Sequence, residues 1–512
     1  MLIKKKIPYI ISFFIFAIPI LAFLNKINLP QVTALEVYLI SFSQFSFFII
    51  MLLLSYFIHS LFLKKKIEFK IFFLTNSFIA FLLLFFQNIK SLLFFESQNF
   101  IFDEIFAFLI FVFIYLFLIR FAQKYFNLIC RFLIIFIFLQ FSLFVYNLLI
   151  ININLDSQAQ LENKEKINLN FDSLSINKNQ DSANIFFIVF DGMMTLDSAE
   201  KLKIIDNKEE IVDSLKKNEI IYKENFLNNY DSTYLSLSSL LIGSYPVTEA
   251  SKKYRTRKNY FPFFLMNQKK DNNFFKILRK TDKKFFWLGN SNSSCLNNIY
   301  VNCVRENKAI KYLSIVSLFY YDSVYIYFFN KLLSQYDNRF ESIEFLVNPK
   351  KEFKGNEIYL IHILNPHPPY YLNKNCEIKN DLMKNLKTNK MDVEYYSYAY
   401  NCLLNMAQVF TNKISKTNDK NLIFIMGDHG WSFDYETMKK NKLEKSDNRF
   451  KTFFAYKVPS KCKEILAPNS IVNVIRFALN CSENSNLNYL KDKQFKSFPE
   501  GHIDYGKVFL KN

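Results

Sequence analysis

Asn184-Ile-Phe-Phe-Ile-Val-Phe-Asp191 is an unbroken apolar run that ends on a carboxylate. A short run of this kind, rich in β-branched and aromatic residues, reads as a strand buried on both faces of a sheet. Two other runs end in the same way: Glu357-Ile-Tyr-Leu-Ile-His-Ile-Leu-Asn-Pro-His367 and Asn421-Leu-Ile-Phe-Ile-Met-Gly-Asp-His-Gly430. Strands are expected over 184–190, 284–288, 357–364, 421–426 and 450–458. Segments of helical spacing lie between them, including 198–218 and 394–416. Strands alternating with helices predict an α/β domain with a mostly parallel sheet sandwiched by helices. In such sheets ligands bind beyond the carboxyl ends of the strands, where Asp191, His362, His367, Asp428 and His429 are delivered.

Those residue types suit one chemistry. Asp191, Asp428 and His429 offer two carboxylates and an imidazole, a hard-to-borderline set for one divalent ion, zinc in preference to manganese or magnesium. The stretch Thr233-Tyr-Leu-Ser-Leu-Ser-Ser-Leu-Leu-Ile-Gly-Ser-Tyr-Pro246 puts a hydroxyl at the start of a helix-like run. Asp231 and Ser232 are good N-cap types, and a helix N-terminus favours an anionic oxygen and a phosphate. Thr233 is therefore read as fourth ligand and nucleophile, with His362 or His367 holding a phosphate oxygen or protonating a leaving group. Each residue has a plain reading too. Asp-Gly after a strand is a common turn, a His among prolines is a turn residue, and Thr233 alone is a capping threonine. The joint pattern at strand ends and a helix start favours the site. Arg449 and His502 are read as surface residues in preference to phosphate contacts.

Ahead of this domain lie five apolar stretches, Ile7–Leu24, Leu35–Leu63, Phe69–Phe86, Ile105–Leu118 and Phe132–Ile150. Most reach or approach the ~18–20 residues that cross a bilayer as a helix. Lys4 to Lys6, Lys64 to Lys66, Lys70, Arg120, Lys124 and Arg131 fall in alternate loops, against little more than Lys26 and Lys90 in the others. The positive-inside rule then places everything after residue 150 on the outer side of the plasma (inner) membrane. The expected organisation is a transmembrane domain of five helices (1–151), a polar membrane-proximal linker (152–183) and a catalytic domain (184–512). The net charge of +19 is scattered and forms no clustered footprint for nucleic acid. The spans lack the buried ionisable residues of a transport path. Neither His59 nor Cys130 is given a role. Six of the seven cysteines lie in the outer domain, and neighbour pairing (Cys295–Cys303, Cys376–Cys402, Cys462–Cys481) is the simplest connectivity.

The Thr233–Pro246 stretch resembles the sulfatase signature C/S-x-P-S-R-x-x-L-L-T-G-x-x-P of the alkaline phosphatase superfamily. Leu240, Leu241, Gly243 and Pro246 match, whereas Thr233, Leu235 and Leu237 replace the residues that make formylglycine. A threonine nucleophile is similar instead to the membrane phosphoethanolamine transferases and lipoteichoic acid synthases, which also carry five spans before an outer catalytic domain. The Asp-His pair of those enzymes matches Asp428-His429. Their usual first ligand, Glu, is replaced by Asp191, one methylene shorter. The spacing of His362, His367 and Pro369 resembles their His-x4-His-x-P element, and their further His after Asp-His-Gly is missing from 431–448. The resemblance implies an alkaline phosphatase-like fold. It also implies a phospho-threonine transfer of a phospholipid head group, phosphoethanolamine or phosphoglycerol, to an envelope glycan or lipid. A hydrolase of the same fold and a non-catalytic polymer-binding protein are the alternative expectations.

Overall fold

The computed structural model describes 34–62, 68–84 and 124–139 near the N-terminus. Beyond them it describes 183–246, 273–289, 300–303, 341–349, 353–368, 370–378, 393–431, 449–498 and 507–510, with isolated positions 20, 117, 120, 121, 141, 142, 145, 261 and 433. The chain divides into two compact units, Met1–Asp156 with Ala309–Tyr336 and Ser157–Lys308 with Asp337–Asn512.

In the first unit, helices α1 (Ala34–Phe62) and α2 (Phe69–Leu84) cover the second and third expected spans. They meet through aromatic edges, with Phe48 and Phe73 ring centroids 5.4 Å apart. Residues 124–139, around the start of the fifth span, are also helical. Among the described residues only Val37–Phe57 is long and apolar enough to cross a bilayer, at a mean hydropathy of 2.2. The first and fourth expected spans lie almost wholly outside the described residues.

The second unit carries strands β1 (Ile185–Asp191), β2 (Ile221–Tyr222), β3 (Lys284–Leu288), β4 (Val301–Cys303), β5 (Glu357–Pro366), β6 (Leu422–Gly427) and β7 (Phe454–Lys457), in the order β2-β7-β6-β1-β5-β3-β4. β1 pairs in parallel with both β5 and β6, and β3 with β4 and β5. β7 runs antiparallel to β6 and to β2, so the sheet is parallel at its centre and mixed at one edge. The helices are α3 (Leu196–Lys201), α4 (Lys208–Lys217), α5 (Thr233–Ile242), α6 (Asn273–Thr281), α7 (Glu341–Val347), α8 (Val393–Thr417) and α9 (Val474–Ser482). A separate antiparallel pair joins β8 (Phe495–Phe498) and β9 (Lys507–Leu510).

Side chains alternate across each strand, and here the alternation builds two cores. Ile185, Phe187 and Val189 of β1 pack with Leu360 of β5, Phe424 of β6 and helices α5, α6 and α9. Phe186, Ile188 and Phe190 pack on the other face with Ile361, Ile425 and helices α3, α7 and α8. The result is the expected helix–sheet–helix sandwich, held by apolar side chains each worth ~1.5–3 kcal/mol on burial.

The expected helical stretch 198–218 is two helices. Thr195 caps the first through Ser198 N. Lys203 then turns the backbone left-handed at φ 57°, and Asn207 starts the second by accepting from the amides of Glu209 and Glu210. Cys376–Cys402 and Cys462–Cys481 are bonded as expected, while Cys295 lies outside the described residues.

Helix α5 is fixed at its far end. Gly243 terminates it in the left-handed region (φ 58°), its N–H donating to Ser239 O. Arg476, buried on α9, donates to Gly243 O from Nε (2.9 Å) and Nη2 (2.8 Å). A Cβ on Gly243 would meet Ile475 Cγ2 at 2.9 Å. Gly243→Ala is therefore expected to combine left-handed strain with overpacking and to lower unfolding free energy by about 1–3 kcal/mol. Denaturant unfolding measures this. An unchanged midpoint would mean that α5 is not held at this cap.

Candidate metal and nucleophile site

The site starts from the pairing of β1 with β6. Their parallel register matches Phe190 with Gly427, so the next residues, Asp191 and Asp428, emerge side by side. The same period-two phase sets their direction. Asp191 continues the series Ile185, Phe187, Val189, Asp428 continues Leu422, Phe424, Met426, and His362 continues Ile358, Leu360. All three therefore belong to the sheet face that α5 covers. Gly427 is required where it stands, because a Cβ there would lie 2.4 Å from Met193 O.

Asp428 is fully buried and held by backbone donors: Gly192 N and His429 N each donate to its Oδ1 at 2.8 Å. Its second oxygen, Oδ2, and Asp191 Oδ1 are buried without a hydrogen-bond partner. His429 stands between them, with Nε2 3.3 Å from Asp191 Oδ1 and 3.8 Å from Asp428 Oδ2. Its Nδ1 lies 2.8 Å from Gly430 O, a partner for the ring N–H that leaves Nε2 facing the carboxylates. One ligand atom from each of these three residues lies within 4.8 Å of the others.

The electrostatics follow from this crowding. Burial by itself raises the Asp191 carboxyl. The charges of His367, His429 and His362, with the close approach of His429 Nε2, outweigh it and hold the group down to about 2. Asp428 goes the other way: burial and the Asp191 charge raise it, against lowering by His429, His362 and the nearby Thr233 hydroxyl. At His429 burial and the Arg449 charge lower the pKa, but the two carboxylates win and push it up to about 9.

Thr233 is the first residue of α5 and is half-buried. Its hydroxyl is close enough to favour the ionised Asp428 carboxylate without completing a hydrogen bond to Oδ2. Ser232 is the N-cap by position but caps with no side-chain hydrogen bond, and Asp231 is not the cap. His362 is buried within β5, with both ring nitrogens lacking a partner. His367 is half-buried, donates its amide to Asp191 O at 3.0 Å, and meets Trp431 edge-on at 4.8 Å.

Three residues at the site stood out less in the sequence. Tyr396 of α8 donates its hydroxyl to Gly192 O at 2.7 Å and steadies the loop after Asp191. Trp431 stacks on Tyr396 at 6.0 Å and walls the His429 side. Arg449 accepts Gly430 N on its carbonyl at 2.7 Å and is half-buried, with its Nε atom covered. An aromatic on an inward helix face carries no distinguishing pattern, so only the position after Asp-His-Gly marked Trp431. His502 lies outside the described residues.

The donor set fits a divalent cation. Two inward-facing carboxylate oxygens without donors, an imidazole nitrogen between them and an adjacent hydroxyl are short of positive charge, which the His429 proton supplies in the metal-free protein.

No protein-family model matches the chain, and no curated protein sequence matches it. Solved structures do show similarity. The zinc-bound C-terminal periplasmic domain of EptC from Escherichia coli shares 12% identity at a TM-score of 0.36, covering 65% of this chain and 94% of that one. The integral membrane lipooligosaccharide phosphoethanolamine transferase A (EptA) from Neisseria meningitidis shares 10% at 0.36, covering 82% of this chain and 76% of that one. The lipoteichoic acid synthase LtaP from Listeria monocytogenes shares 13% at 0.30, covering 64% of this chain and 82% of that one. At such low scores the chemistry has to be read from this chain's own residues.

The His429 shift gives a test. The ordinary imidazole value is 6.5 and the folded value about 9, so the protonated ring stabilises the metal-free protein fully below pH 6.5. That contribution is lost as pH rises through 9. A divalent ion must displace the proton. Zinc binding at pH 7.5 is therefore expected to release about one proton from this group, and affinity to rise about tenfold per pH unit up to pH 9. Calorimetry in buffers of different ionisation enthalpy reads both. Binding without proton release would remove His429 from the ligand set.

Proposed function

We propose that this chain is a membrane-anchored, metal-dependent phosphotransferase of the alkaline phosphatase superfamily, in its sulfatase-like branch. It moves a phospholipid head group of the phosphoethanolamine or phosphoglycerol type to an envelope glycan or lipid. One observation carries the reading: two carboxylate oxygens without a hydrogen-bond partner and His429 Nε2 converge near Thr233, the first residue of α5. The sulfatase-like spacing from Thr233 to Pro246, with the formylglycine residues replaced, supports phosphoryl transfer over sulfate-ester hydrolysis.

Asp191, Thr233, Asp428 and His429 would hold one divalent ion, zinc in preference to manganese or magnesium. When bound, the ion acidifies the hydroxyl and neutralises charge on the phosphate. Thr233 Oγ attacks phosphorus of the head-group phosphodiester. A new O–P bond forms, the ester bond to the diacylglycerol oxygen breaks, and that oxygen takes up a proton. His367, half-buried at the rim, suits proton delivery, while buried His362 offers two free nitrogens to a phosphate oxygen. An acceptor hydroxyl then attacks the phospho-threonine phosphorus: its O–P bond forms, the Thr233 Oγ–P bond breaks, and its proton passes to Thr233 Oγ, restoring the hydroxyl. Water in that role makes the same site a phosphodiesterase.

The alternating basic residues of the N-terminal third support five spans, a plasma (inner) membrane location and an outer, periplasmic-side catalytic domain. The domain limits 1–151, 152–183 and 184–512 belong to the same proposal. Tethering would keep the site near its lipid donor. The partners are that donor, the acceptor and the membrane, without nucleic acid.

Incubating zinc-loaded full-length protein with labelled phospholipid should add the head-group mass to the peptide containing Thr233. The label should then move to an envelope glycan or lipid acceptor. Thr233→Ala should abolish the adduct and cut turnover roughly a thousandfold or more, and Asp428→Ala should lose the metal. Head-group release to water alone, indifferent to acceptor, would reduce the enzyme to a hydrolase. Unchanged turnover in Thr233→Ala would overturn the nucleophile.

A further inference from the structure

The turn that follows Asp191 is gripped from α8 by two buried tyrosines one helical turn apart. Tyr396 donates its hydroxyl to Gly192 O at 2.7 Å and accepts from Met194 N at 3.4 Å, and Tyr400 donates to Met194 O at 3.0 Å. Backbone amides serve the carbonyls in between: His367 N donates to Asp191 O at 3.0 Å and Phe453 N to Met193 O at 3.1 Å. Each carbonyl from Asp191 to Met194 therefore has a donor, and the two side-chain donors come from one helix.

Of the two tyrosines, Tyr396 stands next to the chemistry. Gly192, whose carbonyl it holds, gives its own amide to Asp428 Oδ1 at 2.8 Å. That bond and the one from His429 N occupy Oδ1, while Oδ2 keeps no hydrogen-bond partner. Gly192 takes the left-handed region at φ 72° and is fixed at both of its polar groups, N–H to Asp428 and C=O to Tyr396. The Tyr396 ring also stacks on Trp431 at 6.0 Å. Trp431 lies directly against the turn, because a Cβ on Gly192 would meet its Cε3 at 2.8 Å and His429 Cε1 at 3.5 Å. One side chain thus braces the Asp191 turn through its hydroxyl and the His429 loop through its ring.

We propose that Tyr396 is a positioning residue that sets the metal affinity of the site, by holding Gly192 so that its amide fixes the Asp428 carboxylate with Oδ2 left unbonded. The proposal rests on the metal-dependent phosphotransferase reading and adds a residue outside the ligand set. Groups one bond beyond metal ligands orient them, and losing one typically costs about 10–100-fold in affinity. Tyr400 supplies the comparison: it bonds the same turn from the same helix, but two residues beyond Gly192.

The test uses full-length protein in detergent with cobalt(II) as the probe. The visible absorption of the bound ion responds to ligand geometry, so one titration reads affinity and coordination together. Thermal midpoints of the metal-free protein read stability. Tyr396→Phe keeps the ring and removes both hydroxyl bonds. It should weaken cobalt binding about tenfold or more and shift the absorption bands, while Tyr400→Phe stays within about threefold with wild-type bands at a similar loss of thermal midpoint. Unchanged affinity and bands in Tyr396→Phe would overturn the proposal and leave the phosphotransferase reading intact. Equal weakening by both variants in step with their midpoints, or failure of Tyr396→Phe to fold, would make Tyr396 a structural residue and overturn it too. A wild type that binds no cobalt would overturn the metal reading along with it.

Discussion

Two carboxylates buried side by side cannot both stay ionised without a cation between them, and this protein is arranged around that constraint. Parallel pairing of β1 and β6 forces Asp191 and Asp428 together. The surrounding structure then supplies partial compensation. Two backbone amides serve one oxygen of Asp428, and His429 is anchored through Gly430 so that Nε2 faces both acids. The compensation is incomplete by two oxygens. An apolar core would tolerate no such deficit, and the arrangement suits a cation.

The proposed nucleophile is positioned from the opposite end of its helix. Thr233 starts α5, yet the strongest grip on that helix is at Gly243, where Arg476 makes two hydrogen bonds to a carbonyl. Between the two, Leu237, Leu240 and Leu241 seat the helix on the β1-centred core. A rigid rod held at its apolar face and C-terminus keeps its first turn in place.

Much of this was legible in sequence because it follows from period and punctuation. Apolar runs ending on Asp or His marked β1, β5 and β6, and the phase of each run sets which face its terminal residue joins. The Leu240-Leu241-Ile242-Gly243 close of α5 was equally plain. What was hidden depends on distant contacts. The split between α3 and α4 turns on a local competition in which Asn207 caps a new helix. The antiparallel placement of β7 depends on which edge stays free in the assembled sheet. Arg449 reads as a loop residue until Gly430 N bonds its carbonyl and Asn228 N bonds that of Phe450. The basic loops suggested five spans, of which α1 alone among the described residues carries both the length and the hydropathy.

The end of β5 shows how register creates a site residue that composition would not. β1 and β5 run in step as far as Phe190 opposite Ile363. Continued regularly, Asp191 would face Leu364, an apolar neighbour with nothing to offer a carboxylate. The pairing instead slips by two residues, and Asp191 faces Pro366. The slip lies beyond His362, which pairs with Val189 in regular register and so keeps its place on the α5 face. The displaced residues fold over through Asn365, whose side chain accepts Tyr371 N and donates to His367 O. His367 is thereby brought to donate its amide to Asp191 O, and its imidazole becomes the largest single influence lowering the Asp191 pKa. Without that slip the rim of the site would hold a leucine where it now holds an acid–base group.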